Sequence, residues 1–130
     1  MHLHTKRAYE PPAETDGRRI LVDRLWPRGL TKQSAAIDFW AKAIAPSNAL
    51  RRWYQHDPAK WTEFRKRYFQ ELEANQAGVR ELLSQVGKGA ATLVFSSKEE
   101  RLNNAVALRE YLIARETRRQ HLPWKDGAHS

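Results

Sequence analysis

The run Ala91-Thr92-Leu93-Val94-Phe95 constrains the fold of this chain most. It lacks the polar alternation of a strand with one wet face. A short, nearly continuous apolar run reads as a strand covered on both faces, and such strands belong to parallel sheets in α/β folds. Ser96-Ser97-Lys98-Glu99-Glu100 follows at once as a loop or helix start. Leu102, Val106, Arg109, Leu112 and Ile113 then mark a last helix. A second apolar run, Ile20-Leu21-Val22, lies in a strand expected over residues 18–25. A shorter first strand is expected over residues 2–7, where Leu3 and Thr5 alternate with His4 and Lys6.

The segments between these strands decide the topology. Residues 10–17 carry paired prolines and Asp-Gly, which mark a loop. A parallel crossover normally takes a dozen or more residues, so this loop leaves the relative direction of the first two strands open. Residues 31–45 support two readings. Thr31 can cap a short helix over 32–36, or Ile37, Phe39 and Ala41 can alternate with Asp38 and Trp40 in an extended segment. Ser47 after Pro46 is the expected N-cap of a helix running to about Gln55. Asp57-Pro58 starts another, with Asp as N-cap and Pro at the first helical position. Trp61, Phe64, Tyr68 and Leu72, then Val79, Leu82, Leu83 and Val86, fall at helical spacing. They predict one long amphipathic helix, with Gly78 as the place for a break and Gly87 and Gly89 as its end.

A chain of 130 residues with 41% hydrophobic content builds one core, and about two thirds of its surface is buried on folding. The expected architecture is therefore a single α/β domain over residues 1–122: a small, mainly parallel sheet of three or more strands flanked by helices. Pro123, Asp126 and Gly127 suggest a loose tail over 123–130. No cysteine is present, which excludes disulfides, thiolate metal sites and a cysteine nucleophile. His2 and His4 share a strand face, but no acidic partner follows at ligand spacing, so no metal and no cofactor is expected. No apolar stretch approaches a membrane span, and the N-terminus has no signal core; a cytoplasmic protein without a membrane partner is the expectation. The net charge of +8 favours anionic partners.

In open α/β sheets, ligands bind beyond the carboxyl ends of the strands. The first strand delivers Lys6, Arg7 and Tyr9 there. The second delivers Asp23, Arg24 and Arg28 around a Trp26-Pro27 turn, and the third delivers Ser96, Ser97 and Lys98. Charges placed where a buried strand stops are costly unless paired or bound. Arginine's planar fork suits phosphate or carboxylate, and Asp23 can orient an arginine or act as a general base. The blander reading is an ion pair pinning the turn. Ser96 and Ser97 can cradle a phosphate with a helix N-terminus, or form capping boxes with Glu99 and Glu100. Asn103 can bond a ligand or cap the helix. His56 beside Asp57 can be a catalytic pair, although Asp57 as a cap and His56 as a turn residue explain both. Finally, Arg51, Arg52, Lys60, Arg65, Lys66 and Arg67 mix with Trp53, Tyr54 and Trp61 as in single-strand binders. The same aromatics also follow core periodicity.

The runs Leu21-Val22-Asp23-Arg24-Leu25-Trp26-Pro27-Arg28-Gly29, Ala45-Pro46-Ser47 and Leu93-Val94-Phe95-Ser96-Ser97-Lys98, with Phe64-Arg65, Tyr68, Glu71-Leu72 and Asn103, resemble the YeaO-like branch of the bacterial family named domain of unknown function 488. The resemblance covers about residues 3–115. It implies an α/β fold with a basic cleft at the strand ends, and no established activity. Members of the wider family carry cysteines after the third strand, so their thiol chemistry does not transfer to this chain. The wider family also places a helix between its first two strands; here the loop at 10–17 stands in its place and leaves one sheet face less covered. The expected function is binding, with or without turnover, of a small anionic ligand such as a nucleotide or phosphorylated metabolite. Arg24, Arg28 and Lys98 would hold the anion, Asp23 would orient or act as base, and Asn103 would add a hydrogen bond. The alternative is a nucleic-acid-binding module using the basic helix at 59–72.

Overall fold

The computed structural model describes residues 1–120; the tail expected over 123–130 lies outside them. Four strands form one sheet: β1 (His2–Arg7), β2 (Arg18–Leu21), β3 (Phe39–Trp40) and β4 (Ala90–Phe95). The helices are α1 (Lys32–Ala35), α2 (Asn48–Tyr54), α3 (Trp61–Glu73), α4 (Gln76–Val86) and α5 (Asn104–Gln120). The strand order is β1-β4-β2-β3, and every pair is parallel. The α/β expectation holds, and the apolar run at 91–95 has a neighbour on each edge.

The open question of the first two strands is settled as parallel. Residues 8–17 cross from one side of β4 to the other, with a single 3-10 turn at Glu14–Asp16. The crossing is short because it lies tight against the start of β4. The Asp16 carbonyl accepts the Thr92 hydroxyl at 2.8 Å. At Gly17 (φ +63°) a Cβ would stand 2.1 Å from the Ala90 carbonyl oxygen, so only glycine fits.

The two sheet faces are covered differently. Leu3, Ile20, Val22, Leu93 and Phe95 face one large core with α2, α3, α4 and α5. Ala8, Leu21 and Val94 face the other way, under Trp26, Leu30, Ile37 and Trp40. The Trp26 and Trp40 rings meet edge-on at 5.5 Å. A turn-rich segment thus covers this second face.

Three expectations are corrected in detail, and one open reading is resolved. The strand predicted over 18–25 ends at Leu21; Val22 still donates to the Val94 carbonyl, after which the chain turns. Both readings of 31–45 occur in succession, because Thr31 caps α1 through the Ser34 N–H and Phe39–Trp40 then pairs with β2. The long helix breaks at Asn75, not Gly78. The Asn75 side chain accepts the Gly78 N–H and caps α4, so Gly78 sits inside the first turn. The last helix starts at Asn104, because Asn103 accepts the Val106 N–H as its cap, and neither serine capping box forms.

Amide exchange tests the sheet order. The backbone N–H groups of Leu93, Val94 and Phe95 lie in the central strand, with side chains 0–2% exposed. They are expected among the slowest-exchanging in the protein; rapid exchange there would contradict the central position of β4.

Candidate functional site

The carboxyl ends of β2 and β4 are fastened together by Asp23. Its Oδ2 accepts the Ser96 N–H at 2.8 Å and the Ser96 hydroxyl at 2.7 Å. Its Oδ1 accepts Asn104 Nδ2 at 3.1 Å, and the same amide donates to the Val22 carbonyl. The Asp23 carbonyl accepts Trp40 Nε1 at 2.7 Å. Both carboxylate oxygens are therefore engaged by neutral donors, and the residue ties two strands to the first turn of α5. The ion pair that would pin the turn is absent among the described residues: Asp23 has no basic group within 4.0 Å.

Beside this clasp is a cavity of about 360 Å³. Its cationic lining is Arg24, Arg28 and Arg51; Asp23, Ser96, Ser97, Asn104 and His56 form its polar wall. Pro46, Tyr54 and Phe64 form a buried apolar part, and Tyr9, Leu25 and Trp26 complete the rim. Arg24 Nη2 reaches the Ala45 and Pro46 carbonyls only at 3.3 and 3.4 Å. Its Nε is buried and has no acceptor among the described residues. Arg51 bonds Asn48 Oδ1 at 3.1 Å. None of the three arginines has a carboxylate within ion-pair distance among the described residues, where the ion pairs are Lys6–Asp16, Arg19–Asp16, Arg65–Glu110 and Arg67–Glu63. Gln55 and His56 both hold left-handed backbone at φ 48° and 55°, a conformation uncommon outside glycine. The Tyr54 hydroxyl donates to the Leu102 carbonyl at 2.7 Å. Burial first, and then Glu99 and Asp57, pushes its pKa up to about 12, so it stays a donor at neutral pH.

The residues singled out from sequence divide into two groups. Arg24, Arg28, Ser96, Ser97 and Asp23 share the cavity. Lys6 does not reach it; its ammonium is held by Asp16 at 3.1 Å. Arg7 is spent on the backbone, donating to the Ser97 carbonyl at 2.8 Å and the Ser96 carbonyl at 3.4 Å. Lys98 is exposed and outside the lining, so the expected meeting of Arg24, Arg28 and Lys98 does not occur. Asn103 is 1% exposed and committed to the Glu99 carbonyl and the Val106 N–H. Its neighbour Asn104 faces the site instead. Arg51 and His56 complete the lining. Sequence reasoning read Arg51 as part of a basic and aromatic pattern suited to single strands and His56 as a turn residue; the left-handed pair at Gln55-His56 has no sequence signal.

The basic helix is largely committed elsewhere. Phe64 and Tyr68 are 2% and 0% exposed and belong to the core. Lys60 and Arg67 sit over Trp53 at 5.1 and 4.2 Å, and Arg65 pairs with Glu110. No cluster of metal-ligating side chains occurs among the described residues, and no described helix is long and apolar enough to cross a membrane.

A family model described as the inactive DUF488-N3 subclade matches residues 2–130. The uncharacterized protein YeaO of Escherichia coli (strain K12) is 38% identical over 112 residues, covering 86% of this chain and 97% of the relative. An uncharacterized protein of Mycobacterium tuberculosis (strain ATCC 25618 / H37Rv) is 38% identical over 113 residues, covering 87% and 95%. No solved structure matches the chain.

Proposed function

The chain belongs to the inactive DUF488-N3 subclade, and on that premise we propose that it binds a small anionic ligand, a nucleotide or phosphorylated metabolite, without turning it over. The observation that carries this reading is the unpaired cationic lining of the cavity. Among the described residues, Arg24, Arg28 and Arg51 line one concave site without a carboxylate partner, and Arg24 Nε is buried without an acceptor. A buried donor left unmade costs about 1–3 kcal/mol, and like charges held together are destabilising. An anion in the cavity relieves both. The volume fits the range of about 300–1,000 Å³ typical of small-molecule sites.

The family description supports binding over turnover. So does the state of Asp23, the acid nominated as a base, whose oxygens already accept three hydrogen bonds. The nucleic-acid reading has less support, because the aromatic residues it needs are packed in the core or under cations. A cytoplasmic pool of phosphorylated metabolites is the setting this reading assumes.

Thermal unfolding tests it. Inorganic phosphate and nucleotides are expected to raise Tm, since a ligand bound only by the folded state stabilises it, by about 2.7 kcal/mol at a hundredfold excess over Kd. The Arg28→Ala, Arg51→Ala double variant removes exposed side chains, so its ligand-free Tm is expected to stay near that of the parent while the response disappears. A parent protein whose Tm ignores every anion tried would overturn the proposal.

A further inference from the structure

The cavity carries more than charge. Among the described residues, three large hydrophobic side chains are exposed, Met1, Tyr9 and Leu25, and two of them, Tyr9 at 42% and Leu25 at 63%, stand on the rim of this basic site. Tyr9 is also immobilised. Its hydroxyl donates to the Arg28 carbonyl at 2.9 Å, and the Arg7 guanidinium lies over its ring at 5.1 Å. The chain thus holds an aromatic ring at the mouth of a cation-lined cavity whose rim also carries a leucine that the described residues leave largely exposed. A ligand made only of charge and hydroxyl groups would leave both side chains wet. A planar ring would cover them, and it would meet a platform whose ordering cost has already been met in the fold.

We propose that the ligand is a nucleoside monophosphate: a phosphomonoester carrying a planar base. The inference rests on the anion-binding reading above and narrows it. The phosphate meets Arg24 and the arginines of the lining, and the base lies against Tyr9 and Leu25. Three unpaired arginines suit a dianionic phosphate better than a single carboxylate. Base stacking on an aromatic side chain is tolerant of base identity, so the site discriminates base from no base more than one base from another.

The experiment is calorimetric titration of the full chain with adenosine 5′-monophosphate, uridine 5′-monophosphate, ribose 5-phosphate and adenosine. At least one of the nucleotides is expected to bind about tenfold or more tightly than ribose 5-phosphate, the size of one stacked base, and adenosine is expected to bind more weakly than that nucleotide. Tyr9→Ala is expected to bring the favoured nucleotide down to the affinity of ribose 5-phosphate. Tyr9→Phe keeps the ring, loses only the bond to Arg28, and is expected to retain the preference. Ribose 5-phosphate binding as tightly as both nucleotides would overturn this inference and leave the anion reading standing, whereas no binding by any phosphate would overturn both. A preference that survives Tyr9→Ala, or is lost equally in Tyr9→Phe, would overturn the stacking platform.

Discussion

Phe64→Ala is expected to cost about 3–5 kcal/mol of stability, the range for aromatic truncation in a packed core. Phe64 is 2% exposed. Its ring stacks on Tyr54 with centroids 4.2 Å apart, and it meets Trp61 at 5.7 Å and Tyr68 at 6.0 Å. Removing it leaves a void that three large rings cannot close without leaving their own partners. Tyr54 is tied to the Leu102 carbonyl and Tyr68 to the Ile44 carbonyl at 2.7 Å each. Urea unfolding should show a lower midpoint with an unchanged slope, the mark of lost stability in an otherwise intact transition. A loss below about 1 kcal/mol would mean that the site collapses freely, and that the ring stack joining α2 to α3 does not hold the molecule. Because Phe64 also lines the cavity, the same variant is expected to weaken anion binding.

This stack was legible from spacing, since Trp61, Phe64, Tyr68 and Leu72 recur at the helical period. So were the apolar strands, because a run such as Leu93-Val94-Phe95 has no other way to hide both faces. The caps were legible where a short polar side chain stands alone, as Ser47 does before α2 and Asp57 before the 3-10 turn at Pro58–Lys60 that leads into α3. The α3–α4 break was not. Asn75 sits three residues past the last periodic position of α3, Leu72, and one before Gln76, and its capping bond competes on equal terms with a continued helix until packing decides. Gly78 looked like the breaker because glycine is a poor helix former, yet its N–H is the group that Asn75 caps.

The site was half legible, for a reason that separates strand ends from side-chain reach. The topology rule brings the carboxyl ends of β1, β2 and β4 to one edge of the sheet, and it correctly gathered Asp23, Arg24, Arg28, Ser96 and Ser97 there. It says nothing about where a long side chain goes next. On β1, Lys6 and Arg7 are adjacent and so point to opposite faces. Lys6 goes to Asp16 and Arg7 goes to the backbone of the loop after β4. The residues that complete the lining, Arg51 and His56, come from α2 and the turn after it, elements that no strand-end rule reaches. Arg7 is informative in this respect. Its guanidinium holds the Ser96 and Ser97 carbonyls while its face supports Tyr9, so a residue outside the cavity positions both a wall and the rim.

Asp16→Ala is expected to be as damaging as the loss of Phe64, by a different route. Asp16 is 7% exposed and Arg19 is 3% exposed. Asp16 Oδ2 accepts Arg19 Nη1 at 2.7 Å and the Ala13 N–H at 3.0 Å, and the Lys6 ammonium lies at 3.1 Å. Arg19 Nε and Nη2 donate to the Ala35 carbonyl at 3.1 and 2.8 Å. Removing the carboxylate strands a buried guanidinium, and breaking a buried pair in this way costs about 3–5 kcal/mol. Adding Arg19→Met to Asp16→Ala is expected to recover a large part of the loss, because the stranded charge is then gone. The same carboxylate makes stability depend on acid. Burial alone would raise its pKa, but the bonds from Ala13, Lys6 and Arg19 outweigh burial and hold it below the ordinary 3.8. A carboxyl depressed in the folded state stabilises above its unfolded pKa, and that contribution is lost as pH falls through the folded pKa. The stability gap between the parent and Asp16→Ala is therefore expected to be constant from neutral pH to about pH 5 and to narrow below about pH 4. Unfolding free energies measured across that range decide the matter. A gap that stays at full size down to about pH 2 would show that Asp16 acts through packing alone, and that its charge does not hold Arg19 and Lys6 against the sheet.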